Sequence, residues 1–190
     1  GPKSLALSRL AVGDSVSCLG PLGHPFPDPP PGARVLLVGG GIGVPPLIHL
    51  GVHLRQVDLS PILIVGARHA GKHLPQSLLL PATSDLRQAT DDGTLGHHGF
   101  VTDLLAEALA DGPDQVIYTC GPHPMMAAVA KAAKKARILC YASLEEYMAC
   151  GFGVCVGCVV ERSSSAVPAY EKFSRVCVDG PVYDVEEIVW

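Results

Sequence analysis

Apolar and polar positions divide the chain into a regular centre and two irregular flanks. Arg34 leads into the unbroken apolar run Val35-Leu36-Leu37-Val38, the pattern of a parallel strand covered on both faces. Glycines at 39, 40, 41 and 43 end that run, and residues 44–50 then read as a helix with Pro45 and Pro46 in its first turn. The unit repeats. Residues 61–65 predict a second strand ending at Gly66-Ala67-Arg68, and residues 86–90 predict a weaker third. A loop over 91–99, a helix over 102–109, a strand over 115–119, a helix over 125–135 and a strand over 137–142 follow. Five strands with crossover helices predict a doubly wound α/β parallel sheet.

The flanks lack this rhythm. Residues 5–10 predict a short helix with Ser4 as its N-cap, and residues 15–19 alternate like a strand. The proline-rich stretch 27–32 predicts a stiff linker and a domain boundary. Beyond 142, residues 159–161 predict a short strand, 162–166 a polar loop and 180–184 a turn, and residues 173–178 bring back a last cysteine. Three regions result: 1–31, 32–142 and 143–190.

Composition narrows the functional classes. The 190 residues are 48% hydrophobic and 17% charged, enough to bury a core. A net charge of −4 without a basic run argues against a nucleic-acid partner. Residues 35–54 form the longest uncharged stretch, but five glycines, two prolines and two histidines interrupt it, so no membrane span is expected. No charged-then-apolar signal-peptide pattern is read at the start of the sequence, which begins Gly1-Pro2 without a methionine, and a cytoplasmic setting is expected. Seven cysteines, an odd number, suit a reducing compartment better than a disulfide framework.

Chemistry concentrates in two places. The first is the glycine turn Gly39-Gly40-Gly41-Ile42-Gly43 between strand and helix, a seat for a dinucleotide pyrophosphate or simply a tight turn. The pattern is not a strict G-x-G-x-x-G, and no acidic residue ends the second strand to hold a ribose. Arg68 stands at that strand's carboxyl end, where it could meet an adenosine or simply solvent. Cys120-Gly121-Pro122 occupies the corresponding end of the fourth strand, where a nicotinamide would lie, although a lone cysteine there is more often core. Cys140 reads as core, and His24, His97 and His98 read as solvated loop residues.

The second place is Cys150-Gly-Phe-Gly-Val-Cys155-Val-Gly-Cys158, followed after eighteen intervening residues by Cys177. C-x4-C-x2-C with a distant fourth cysteine is the plant-type spacing for a [2Fe–2S] cluster. Gly151, Gly153 and Gly157 allow backbone to pass close to such a group. Structural zinc, which more often uses paired knuckles, and disulfides remain as alternatives. No pair of side chains suggests an acid–base dyad, so no catalytic residue is assigned.

GPLG, GGGIGVPPL, DDGTLGHHG, CGPHPMM and MACGFGVCVGC occur in this order. With them the chain resembles, over essentially its whole length, the electron-transfer subunits of B-type, NAD-dependent dihydroorotate dehydrogenase, within the ferredoxin–NADP reductase superfamily. The resemblance implies an FAD-binding β-barrel, an NAD domain and a C-terminal [2Fe–2S] module, with Cys150, Cys155, Cys158 and Cys177 as cluster ligands. It implies that Gly39 to Gly43 and Cys120 to Pro122 frame the nicotinamide nucleotide. Residues 1–4, with Lys3 and Ser4, would end the segment that holds the FAD pyrophosphate, and residues 20–23 would belong to the last barrel strand. The family's Arg-x-x-Ser/Thr flavin motif is absent, so a longer intact protein is expected. The partner implied is an FMN-containing catalytic subunit that oxidises dihydroorotate, in a heterotetramer. Rival readings are the related subunits of sulfide dehydrogenases, hydrogenases and bifurcating transhydrogenases, and a zinc-stabilised nucleotide-binding module without redox function.

Overall fold

The computed structural model describes residues 1–112, 114–163 and 172–190. The expected polar loop over 162–166 therefore lies mostly outside the described residues. Helix α1 (Pro2–Leu7) opens the chain. The central unit runs β1 (Arg34–Gly40), α2 (Val44–Gln56), β2 (Ile62–Ala67), α3 (Gln76–Leu79), β3 (Asp85–Thr90), β4 (His97–His98), α4 (Val101–Leu109), β5 (Gln115–Cys120), α5 (His123–Ala136) and β6 (Leu139–Ser143). Three short strands close it: β7 (Val159–Glu161), β8 (Phe173–Arg175) and β9 (Val182–Asp184).

Seven strands share one sheet in the order β4-β3-β2-β1-β5-β6-β9. All neighbours are parallel except β9, which runs antiparallel to β6. The doubly wound sheet expected from the apolar runs is present, and its central strand β1 is covered on both faces. Leu36 and Val38 face a layer built by α4 and α5, with Leu105 and Val129. Val35 and Leu37 face the opposite layer, with Leu47 and Leu54 of α2. A strand with two buried faces must be apolar at every position, which is why the run shows no alternation.

Four expectations fail in the flanks and at the edges. Ser4 is not a cap: Pro2 begins α1 earlier, Gly1 takes the N-cap position, and the Ser4 carbonyl instead accepts the Ser8 amide at 3.0 Å. Proline's fixed φ suits a first turn. Residues 15–19 form no strand; all five are exposed, and a strand requires a paired neighbour. His97–His98 is a short edge strand pairing with Ala89 and Thr90, not a free loop. Residues 182–184 are strand β9, because the exposed edge of β6 offers unpaired backbone groups to Val182, Tyr183 and Asp184.

The proline stretch is anchored. Tyr118 of β5 is fully buried and donates its hydroxyl to the Pro27 carbonyl at 2.9 Å. Phe26 meets its ring edge-on at 5.4 Å, and Tyr141 stacks on it at 5.8 Å. Burial pushes the Tyr118 phenol far above its ordinary range, with Tyr141 and Asp28 adding to the shift.

Candidate functional site

The parallel register brings the carboxyl ends of β1, β2, β3 and β5 to one edge: Gly40 pairs with Gly66, Ala67 with Thr90, and Gly39 with Cys120. A cleft of about 710 Å³ opens there. Gly40 and Gly41, Arg68, Lys72, Asp91 and Met125 stand on its wall. Gly41 has φ +55° and open space beside it. Gly43 is needed for a different reason: a Cβ there would overlap the carbonyl of Cys120 and the amide of Gly121. The turn after β1 therefore rests directly on the end of β5.

The remaining expected residues divide between this cleft and its surroundings. Gly39 packs under Val44 and Leu47. Ile42 is 74% exposed and, with Gly121, lines an adjacent cavity of about 390 Å³. Pro122 borders both spaces. The Cys120 thiol does not reach the cleft wall. It is buried beside Ser143, and burial raises it above the ordinary thiol range. The N-terminus of α2 supplies few amides: Pro45 and Pro46 have none, and the Val44 amide is bound to the Gly41 carbonyl. Arg68, Lys72 and Asp91 carry the side-chain charge on the cleft wall. Lys72 and Asp91 were not singled out from the sequence, because only the turn Ala70–Lys72 and the β3 register carry them to Arg68.

Below the cleft, Asp103 fastens the start of α4. Its carboxylate accepts the Phe100 amide at 2.9 Å and faces His97 Nε2 at 3.2 Å. The amide first, and His97 second, hold it below the usual carboxylate range.

The cysteine loop is built by a hairpin. Strands β7 and β8 pair antiparallel, with Val160 opposite Ser174. Cys158 immediately precedes β7 and Cys177 follows β8, and the Val176 amide donates to the Cys158 carbonyl at 2.8 Å. Both thiols are buried, at 2% and 5% exposure. The Cys158 thiol beside it raises Cys177, burial adds to this, and the Gly153 amide opposes it. Cys150 and Cys155 lie together on the outer turn, where the Cys155 amide points at Cys150 Sγ from 3.5 Å. The amides of Cys155 and Phe152 lower the Cys150 thiol to about 6. Gly151 and Gly153, at φ +79° and +89°, turn these amides inward. Arg175 braces the loop: it donates to the Gly153 carbonyl at 3.1 Å while both oxygens of Asp179 hold its other nitrogens. Among the described residues, no three Cys, His, Asp or Glu side chains converge at metal-ligand spacing. The thiols stand two and two, and all seven cysteines are free.

Residues 145–189 match the family model described as the iron–sulfur cluster binding domain of dihydroorotate dehydrogenase B. The chain is 40% identical over 192 residues to the electron transfer subunit of dihydroorotate dehydrogenase B (NAD(+)) from Shouchella clausii (strain KSM-K16), covering 100% of this chain and 70% of the relative. The chain belongs to this family of electron transfer subunits. The corresponding subunit from Bacillus caldolyticus agrees at 40% identity over 191 residues, with 100% and 71% covered. A solved NADH-dependent reduced ferredoxin–NADP oxidoreductase, studied for flavin-based electron bifurcation, superposes with a TM-score of 0.81 at 28% identity. That alignment covers 98% of this chain and 65% of the other. The ferredoxin reductase of carbazole 1,9a-dioxygenase gives a TM-score of 0.52 at 25% identity over 63% of this chain and 39% of that one.

Membership makes this a chain of an oxidoreductase whose cofactor classes are iron–sulfur, FAD and NAD, and an electron transfer subunit implies a catalytic partner. Among the described residues no helix is long and apolar enough to cross a membrane. The cysteine loop fits an iron–sulfur group in its donor set: four thiols with backbone amides aimed at sulfur. The cleft fits a dinucleotide, since glycine backbone rather than side chains forms its wall at the end of β1. Lys3 and Ser4, expected at the end of the flavin-pyrophosphate segment, are exposed on the six-residue helix α1.

Proposed function

We propose that the chain links an FMN-containing, dihydroorotate-oxidising subunit to NAD(+), with residues 143–190 serving the cluster and residues 32–142 the nucleotide. The observation that carries this reading is the pairing of Cys150 with Cys155 and of Cys158 with Cys177. Two irons take two thiolates each, whereas one zinc takes four thiolates around a single point. When bound, the [2Fe–2S] group supplies one-electron transfer, and FAD relates single electrons to the two-electron chemistry of NAD(+).

The residues bind, orient and shield. The four thiolates hold the irons, and the loop amides stabilise negative charge on sulfur. Arg175 fixes the loop, and its cation lies near the thiols of Cys177 and Cys158. Gly40 and Gly41 admit the dinucleotide backbone, while Gly121 and Pro122 border the space between cleft and cluster module. Arg68 faces the adenosine half. A cytoplasmic, reducing setting suits seven free thiols.

The test is the iron, sulfide and zinc content of anaerobically purified protein, with an electron paramagnetic resonance spectrum after reduction. About two irons and two sulfides per chain and a reduced [2Fe–2S] signal are expected. One zinc and no paramagnetic signal would overturn the reading and leave a nucleotide-binding domain with a structural metal.

A further inference from the structure

Reduction adds one electron to a [2Fe–2S] group, and so one negative charge to the group and its thiolates. A fixed cation beside the thiolates favours the reduced form, and a fixed anion opposes it. Arg175 is such a cation. It lies two residues before Cys177. Its strongest partner is Asp179, and the thiols of Cys177 and Cys158 also act on its charge. The ion pair is oriented. Nε and Nη2 of Arg175 donate to the two carboxylate oxygens of Asp179 at 3.2 and 3.3 Å, and the remaining nitrogen, Nη1, donates to the Gly153 carbonyl at 3.1 Å. The guanidinium therefore stands between the carboxylate and the cysteine loop. A Cβ on Gly153 would meet the Val178 methyls at 3.1 and 3.2 Å, so the loop closes directly onto this pair. The peptide between Gly153 and Val154 carries the charge further. Its carbonyl accepts from Arg175, and its amide, after those of Cys155 and Phe152, acts on the Cys150 sulfur. A cation at the carbonyl end of a peptide strengthens the donor at its amide end. Arg175 thus reaches both thiol pairs, one through space and the other through a peptide.

We infer that Arg175 raises the reduction potential of the cluster, and that Asp179 limits the rise by aiming the guanidinium at the loop while offsetting part of its charge. The inference rests on the reading of the four cysteines as ligands of a [2Fe–2S] group. Arg175 holds no iron; it is a positioning residue whose charge acts on the ligands. Both side chains of the pair are 41% exposed. Solvent therefore screens the effect, to about tenfold in the one-electron equilibrium, or about 59 mV.

Potentiometric titration with dithionite, followed by electron paramagnetic resonance, measures this on the anaerobically purified, iron-loaded chain at neutral pH. Arg175→Gln is expected to disfavour reduction about tenfold relative to wild type. Asp179→Asn is expected to favour reduction by a smaller factor, since the guanidinium stays and its counter-charge goes. Arg175→Lys, which keeps the charge and loses the fork, should retain much of the wild-type potential. Opposite signs for the two neutralising variants are the signature of charge. A pair that merely braced the loop would shift both in one direction, because either substitution breaks the same brace. That outcome would overturn the inference, as would a wild-type potential in Arg175→Gln. Where only one of the two keeps its iron, the sign of its shift decides. Loss of iron from both would make the pair a brace and overturn the inference as well. A wild-type chain without a reduced [2Fe–2S] signal would remove the ligand reading itself, and the inference with it.

Discussion

Position decides what each thiol can do. Cys140 lies inside β6 at 1% exposure, and burial pushes its thiol far above the ordinary range. Metal ligation needs the thiolate, so Cys140 serves packing. Cys150 lies in a loop whose amides face its sulfur. Cys150→Ala is therefore expected to abolish stoichiometric iron, read by metal analysis. Cys140→Ala should keep wild-type iron and instead lower unfolding stability by about 1 kcal/mol or more, the cost of a small buried void. Equal iron loss in both variants would contradict this division. Gly43 allows a second test at this scale. Its missing Cβ lets the turn after β1 lie on the Cys120 carbonyl, and backbone cannot give way as a flexible side chain can. Gly43→Ala is expected to cost about 1–3 kcal/mol in denaturant unfolding, as overpacking does, and to weaken nucleotide binding. The four spaced cysteines were legible because spacing is a property of sequence. Arg175 and Lys72 were not, since each gains its meaning only when a hairpin or a turn brings it to Gly153 or Arg68.

Elements were legible where burial alone determines the pattern. Strands β1, β2 and β5, enclosed between helices, showed as apolar runs at nearly their observed bounds. Elements that depend on a neighbour did not show. Val182 to Asp184 became a strand because β6 had a free edge, and residues 15–19 alternate without any strand beside them. Helix α4 shows how an element is fixed by one charge. Asp103 accepts the Phe100 amide at 2.9 Å in the first turn, where the helix dipole also favours an anion. Its folded-state pKa is depressed, so its stabilisation is present above the unfolded value of about 3.9 and is lost as pH falls through the folded value. Asp103→Asn is expected to lower stability at pH 7 by about 0.5–1 kcal/mol, a modest figure because the carboxylate is half exposed. The gap between variant and wild type should close on acidification below pH about 4. A gap that stays constant from pH 7 to pH 3 in urea titrations would mean that the carboxylate's charge contributes nothing.

At the scale of the whole molecule, the cluster module and the nucleotide domain share their core. Cys158, Val176, Cys177, Tyr183 and Ile188 belong to the same buried cluster as Ile117, Val129 and Ala130 of the central sheet and α5. Strand β9 extends that sheet, and the buried hydroxyls of Ser174 and Tyr183 meet at 3.0 Å between the hairpin and β9. Two bodies joined this way should unfold together, because neither can lose its packing without exposing the apolar face of the other. The chain contains its own reporter. Its single tryptophan, Trp190, donates to the Val185 carbonyl at 2.9 Å and lies 5.5 Å from the His123 ring at the start of α5. Tryptophan fluorescence therefore follows the junction, while far-ultraviolet circular dichroism follows the helices of the nucleotide domain. The two signals are expected to trace one coincident transition in denaturant. Tyr183→Phe, which strips one buried hydrogen bond, should move both midpoints together by about 1 kcal/mol of stability. Removing iron by chelation should lower both as well, since a group bound only by the folded loop stabilises everything that unfolds with it. A fluorescence change that precedes the loss of helix would show the opposite arrangement, a cluster module that opens on its own while the nucleotide domain stays folded.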